Sequence, residues 1–213
     1  MEFTDLLAIV DDLPVFETGI LLTGDVDRAD VARQLSRWTA SGQLYQLRRG
    51  VYALAPPFRK VKAHPFVVAN TLVRGSYVSL QSALAHYGMI PEFVPLTTSI
   101  TTGRPARWDT PLGSFDYRHV KAGWFHGYAL LDLGARQSAF VATPEKALLD
   151  LIYLESGADK PAYLETLRLQ ALDQLDLDHL ARLADASKSA KLQRAASILA
   201  ELARVEATEY ESL

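Results

Sequence analysis

The 213-residue chain is 49% hydrophobic and 22% charged with a formal net charge of −3, the balance of a folded protein with a core rather than a disordered or fibrous one. It contains no cysteine, which excludes disulfide frameworks, zinc knuckles, thiol nucleophiles and iron–sulfur ligation. No apolar run approaches the roughly 20 residues that cross a bilayer, and the opening MEFTDLLAIVDD is acidic where a secretory signal is basic, so the expectation is a cytoplasmic protein with no membrane partner.

The charge is divided into three blocks. Residues 1–27 hold seven acids and no Lys or Arg, residues 28–121 hold thirteen bases and four acids, and residues 122–213 hold nine bases and fourteen acids. Within the middle block, Arg28, Arg33, Arg37, Arg48, Arg49, Arg59, Lys60 and Lys62 face the single acid Asp30. That is a local polyanion-binding composition inside an acidic protein. Charge alone leaves a second reading open, a solvated face whose acids lie elsewhere in sequence and nearby in space.

Phe3, Leu6, Leu7 and Val10 recur at i, i+3, i+4 and i+7, which predicts a short amphipathic helix over 2–10, closed by Asp11 to Pro14. A second short element, expected as a helix, follows at Val15 to Leu22. After Thr23, Gly24 and Asp25 a longer helix is predicted from Arg28 to Ala40, with Asp27 as N-cap and Ser41 and Gly42 as its stop. On it Val31, Leu35 and Trp38 share one face, Arg33 and Arg37 lie opposite, and Gln34 and Ser41 sit at the edge. Residues 44–54, LYQLRRGVYAL, read as a β-hairpin with Arg48 and Arg49 at its tip. Three helices and a hairpin are the winged helix-turn-helix plan, in which the third helix enters the major groove and the wing touches flanking backbone. Arginine suits both tasks, reading guanine bidentately and neutralising phosphate. A winged helix that is structural or binds protein is the alternative.

Ala55 to Phe58 form a stiff exit, and Arg59, Lys60 and Lys62 make the following linker basic, either extending a DNA footprint or keeping the linker solvated. PFVVANTLVR (65–74) reads as a helix with Pro65 in its first turn, and residues 77–88 as a short strand turning into a helix ended by Gly88. From Phe93 to Val141 the segments TTSITTG, GSFDYRHV, WFHGYALL and SAFVA predict several short strands. TPEKALLDLIYL opens a helix with Thr143 as N-cap and Pro144 behind it. The pattern then stays helical to about residue 207, with breaks near 157–160, 173–178 and 186–189. The predicted class is α+β: a winged helix-turn-helix over 1–58, then a mixed α/β domain with a helical tail over 59–213.

Five histidines are scattered at 64, 86, 119, 126 and 179 with no HExxH, and no GxxxxGK[ST], GxGxxG or GxSxG is present, so no metal, cofactor or nucleotide site is expected. His119 and His126, with Asp116 and Arg118 nearby, are the best acid–base candidates, against the plainer reading of surface or satisfied strand histidines. The carboxylate pairs Asp25/Asp27 and Asp176/Asp178 are explained by helix capping. The expectation is a protein that is not an enzyme.

QLSRWTASGQLYQLRRGVYAL (34–54), SYVSLQSALAHYGMIPE (76–92), TTGRPARW (101–108), YRHV (117–120) and ATPEKALLDLIYL (142–154) together resemble the AbiEi family of type IV antitoxins over most of the chain to about residue 155. The resemblance implies a winged helix that represses its own operon, a larger C-terminal domain needed for antitoxicity, and a cognate AbiEii-type nucleotidyltransferase toxin in systems tied to phage defence. The toxin itself is not implied: Gly75-Ser76 is present, yet no carboxylate pair follows around Tyr87 and Met89. The resemblance places DNA contacts on Arg28, Arg33, Gln34, Arg37, Arg48 and Arg49. Ser41, Lys60 and Lys62 join them from charge and position. The GILLTGDV stretch before the third helix is more apolar than the plan calls for. The expected partners are double-stranded operator DNA, a homodimeric mate on that DNA and the toxin, the last either opposed indirectly or contacted directly through the acidic residues 122–213.

Overall fold

A computed structural model describes residues 1–24 and 26–211; Asp25, half of one capping pair, lies outside the described residues. The chain begins with α1 (Phe3–Val10), where the Glu2 backbone N–H donates to Asp5 at 2.7 Å. The two-residue strand β1 (Phe16–Glu17) and a 3-10 turn (Thr18–Leu21) follow. This corrects the expected second helix. Phe16 and Glu17 pair with Tyr52 and Val51 across the sheet, and that distant pairing leaves only one tight turn before the next helix. α2 (Arg28–Ala40) matches the predicted span, with Asp27 accepting from the Ala29 N–H at 2.8 Å. β2 (Leu44–Arg48) and β3 (Val51–Leu54) form the hairpin, and the three strands run in the order β1-β3-β2. These elements are consistent with a winged helix.

The rest is mixed α/β. α3 (Pro65–Leu72), β4 (Ser76–Val78), α4 (Leu80–His86), β5 (Leu96–Thr101), β6 (Ala106–Thr110), β7 (Gly113–His119), β8 (Tyr128–Asp132) and β9 (Ser138–Ala142) lead to α5 (Pro144–Leu154) and three further helices, α6 (Pro161–Thr166), α7 (Leu177–Ala186) and α8 (Ala190–Glu211). Six strands make one sheet in the order β6-β7-β5-β4-β9-β8, parallel at β5/β7 and β4/β9 and antiparallel elsewhere. β6 falls in the RPARW stretch, which polar alternation left outside the predicted strands.

Two hydrophobic clusters hold the chain. The smaller packs Leu6, Val10, Phe16, Val31, Leu35, Trp38, Leu44, Tyr52 and Leu54 together. Its counterpart on the other side of the hairpin belongs to the larger cluster, because Leu47, Val51 and Ala53 pack with residues of the six-stranded sheet and its helices. All four residues of β3 are therefore buried, and β2 lies beside β6. The exit segment is also fastened down: Phe58 meets Phe3 edge-on with centroids 5.0 Å apart, and Lys60 pairs with Asp11 at 2.6 Å.

The centre of the larger unit is a buried polar network. Lys146 and Asp150, one turn apart on α5, form an ion pair with both side chains fully buried. Asp150 also accepts from the Tyr77 hydroxyl at 3.0 Å, the Ser79 hydroxyl at 2.8 Å and the Trp124 indole N–H at 2.7 Å. The ammonium lies 3.9 Å from the Trp124 ring centroid, a cation–π contact. Burial pushes the Asp150 carboxyl up and the Lys146 ammonium down; their pairing works against both shifts, and the Ser79 and Tyr77 hydroxyls also oppose that of Asp150. Gly127 is required beside it, since at φ +77° a Cβ would come within 3.0 Å of the Lys146 side chain. Ser79 is further held by Thr98, whose hydroxyl donates to its carbonyl at 2.8 Å, and this anchors the sharp strand-to-helix turn where Leu80 takes φ +57°. The SYVSL and TPEKALLD segments are thus parts of one core. Thr143 caps α5 by accepting from the Lys146 N–H at 3.3 Å, and the buried Glu145 accepts from the Asp176 N–H at 2.9 Å at the start of α7.

Replacing Asp150 with Ala leaves Lys146 buried without its counterion and should lower the unfolding free energy by about 3–5 kcal/mol, read from urea denaturation; Lys146→Met with Asp150→Leu should recover much of that loss. Trp38, 3% exposed and edge-on to Phe3 at 5.3 Å, should show a comparable loss of roughly 3–5 kcal/mol on Trp38→Ala. Burial also holds His64, His86 and His126 below the ordinary histidine value. The unfolded chain therefore binds more protons than the folded one just below pH ~6.5, and stability should fall as the pH drops through that point. Urea midpoints between pH 8 and pH 5 check this, with a flatter profile expected for His86→Gln.

Candidate nucleic-acid interface

α2 presents an exposed basic face. Its 3.6-residue period turns Val31, Leu35 and Trp38 inward and leaves Arg33 and Arg37 one turn apart on the opposite side. Around them Ala29, Ala32, Ser36 and Ala40 are exposed. Small side chains there let the helix axis approach a wall or groove closely while the two guanidinium groups reach past them. Arg33 pairs with Asp30 at 3.2 Å, an exposed contact of little energy that leaves the guanidinium available. Arg28 opens the helix, exposed but turned away from the Arg33/Arg37 side, and Arg28 and Arg37 have no side-chain partner among the described residues. Gln34 is half-buried at the helix edge, with its carbonyl oxygen enclosed. Ser41 is exposed at the C-cap, where its hydroxyl lies 2.8 Å from Gln43 Oε1 and 3.2 Å from the Trp38 carbonyl.

A β-bulge just before the hairpin arginines makes the two face differently. The register runs Leu44 to Leu54, Tyr45 to Ala53 and Gln46 to Tyr52, then slips so that Arg48 faces Val51. Partners across a ladder share a face. Leu44 and Gln46 lie with Tyr52 and Leu54 on the α2 side, and the slip puts both Leu47 and Arg48 on the side of the larger unit. Arg48 is half-buried there, its Nε enclosed without a partner, close enough to Tyr117 to oppose the upward push that burial gives that phenol. Arg49 alone occupies the exposed tip, in a two-residue turn with Gly50 at φ +82°. The Gly50 carbonyl accepts from the Thr18 N–H at 3.0 Å, which ties the tip to the 3-10 turn. In the exit segment Lys60 is exposed but paired with Asp11, and Lys62 is exposed with its carbonyl accepting from Gln137 at 3.1 Å.

The acid–base candidates do not form a site. Asp116 and His119 are three residues apart on β7 and point to opposite faces. His119 Nδ1 lies 2.9 Å from the Gly103 carbonyl. His126 is elsewhere, against Trp124 with ring centroids 5.5 Å apart and under the influence of the Lys146/Asp150 pair. No group of three or more His, Cys, Asp or Glu among the described residues is arranged to hold a metal. No helix among the described residues is long and apolar enough to cross a membrane.

Residues 15–55, from β1 through α2 to the end of the hairpin, match the sequence model of the family described as transcriptional regulator, AbiEi antitoxin. No curated protein matches the chain. The crystal structure of the RV2827C protein from Mycobacterium tuberculosis superposes with a TM-score of 0.58 at 18% identity, covering 94% of this chain and 75% of that one. At that identity the likeness concerns the fold, and it extends over both units.

Because Arg48 is turned inward, Arg48→Ala should change stability rather than surface charge. Its unfolding free energy from urea denaturation should shift, whereas that of Arg49→Ala should stay within about 0.5 kcal/mol of the parent.

Proposed function

We propose that this chain is a DNA-binding regulator of the antitoxin type, with residues 1–58 as a winged helix-turn-helix that represses its own operon and residues 59–213 as the unit that counteracts a cognate nucleotidyltransferase toxin. The observation that carries the DNA reading is the outer face of α2, where Arg33 and Arg37 stand among exposed small residues on a rigidly packed helix. A helix of that form fits the major groove, about 12 Å wide, with guanidinium groups placed for guanine O6 and N7. Arg49 and Lys62 are the exposed side chains that supply phosphate contacts, and Lys60 can join them by exchanging Asp11 for a phosphate. The family match over residues 15–55 supports a regulatory role for the same segment. One small module buries little surface, so two copies on related half-sites are the expected assembly.

Direct toxin contact through the acidic second unit draws less support. Of its acids, Glu145 and Asp150 are buried and Asp159 is held by Arg194, so these three are not offered to a partner.

Fluorescence anisotropy with DNA from upstream of the chain's own gene tests the proposal across a salt series, with scrambled DNA as control. Sequence-selective binding with a steep salt slope is expected. Arg33→Ala with Arg37→Ala should weaken specific binding by roughly 1–3 kcal/mol per base contact, while Arg49→Ala should lower the salt slope by about 1. Equal affinity for both DNAs, or an unaffected double variant, would remove α2 as the reading helix.

A further inference from the structure

The larger unit carries a cleft of about 600 Å³ between α3, the end of α4, the 90–95 loop and the turn into β7. Pockets for small ligands fall at roughly 300–1,000 Å³ and are mostly apolar with a few convergent polar groups. This one has Phe66, Phe115, Ile90 and Leu112 as its apolar lining, and Phe93, 89% exposed, stands at its mouth between Pro91 and Pro95. Its convergent polar groups are two imidazoles.

His64 and His86 flank a single ring. Their centroids lie 4.9 Å and 5.4 Å from that of Phe66, at interplanar angles of 80° and 59°. His64 Nδ1 accepts from the Phe66 backbone N–H at 3.2 Å, which leaves the proton of its neutral ring on Nε2 as a donor. That Nε2 and both ring nitrogens of His86 have no hydrogen-bond partner among the described residues. The acid lining the cleft, Glu92, is paired with Arg168 at 3.6 Å. Two imidazoles lining the cleft against one aromatic ring, with Glu92 beside Arg168, suit an anion carried on a flat apolar body.

We propose that this cleft binds a small aromatic carboxylate, with the ring against Phe66 and Phe115 and the carboxylate accepting from His64 and His86. Burial disfavours protonation of both imidazoles, with His86 adding to the effect at His64, and a carboxylate between them reverses that bias by favouring the charged form. The hydrogen bonds become charge-assisted, the stronger kind. The site is separate from α2, so its existence is independent of the DNA reading.

The test is titration of the full chain with benzoate and with indole-3-acetate, against benzamide and indole-3-acetamide as neutral counterparts, followed by calorimetry and by histidine side-chain NMR. Saturable shifts of the His64 and His86 signals are expected, with the acids binding at least about tenfold tighter than the amides and His86→Gln losing about tenfold for the acids only. His119 and His179 should not move. Absence of saturable shifts up to about 10 mM acid, or equal binding of acids and amides, would overturn the proposal. So would self-association abolished by Phe93→Ser, which would make a second copy's Phe93 the occupant; a folded His86→Gln variant, verified by its urea midpoint, keeps the comparison sound.

Discussion

A fully buried charge pair organises the larger unit. Asp150 cannot stay ionised at the centre of an apolar core unless its oxygens are filled with donors, and the chain supplies four from separate places: Lys146 on its own helix, Tyr77 on β4, Ser79 at the β4–α4 turn and Trp124 before β8. Those elements cannot shift relative to one another without exposing an unsatisfied charge to a low-dielectric interior. An apolar core could be equally stable and would tolerate sliding. A satisfied polar one fixes a single arrangement of strand, turn and helix.

That fixed body is what the hairpin leans on. β3 is central in its small sheet and has no solvent face, with Tyr52 and Leu54 toward α2 and Val51 and Ala53 toward the six-stranded sheet. α2 is in turn seated on the hairpin by Trp38, Leu35 and Val31. The orientation of its arginine face thus descends, contact by contact, from the packing of the larger core.

Local patterns in the sequence were sufficient for much of this. The 3.6-residue period of α2, the Asp27 and Thr143 caps and the β-branched and aromatic texture of β5, β7 and β9 are properties of neighbouring residues, and each appears where the pattern put it. Features set by distant pairing were not legible. β1 took the place of half a helix because Phe16 and Glu17 find Tyr52 and Val51 some thirty-five residues later. The bulge that turns Arg48 inward has no local signal, since LYQLRRGVY reads as an unbroken hairpin in either register. Glu145 reaching α7, and His64 converging with His86, likewise depend on the closed fold. The separation of Asp116 from His119 follows from strand alternation alone and was within reach of sequence reasoning.

The two-sided burial of β3 also bears on how such a protein can be taken apart. The chain around Phe58 reads as a natural point of division, since the segment is rich in proline and basic residues. Severing it would strip Leu47, Val51 and Ala53 of their cover and leave an apolar strip beside Arg48 exposed on an isolated fragment, the kind of surface that associates with other chains. The fragment carrying α2 would keep its arginines and lose its solubility. Transplanting α2 onto another body therefore requires carrying over the wall behind the hairpin as well, which makes the two units distinct in sequence and inseparable as matter.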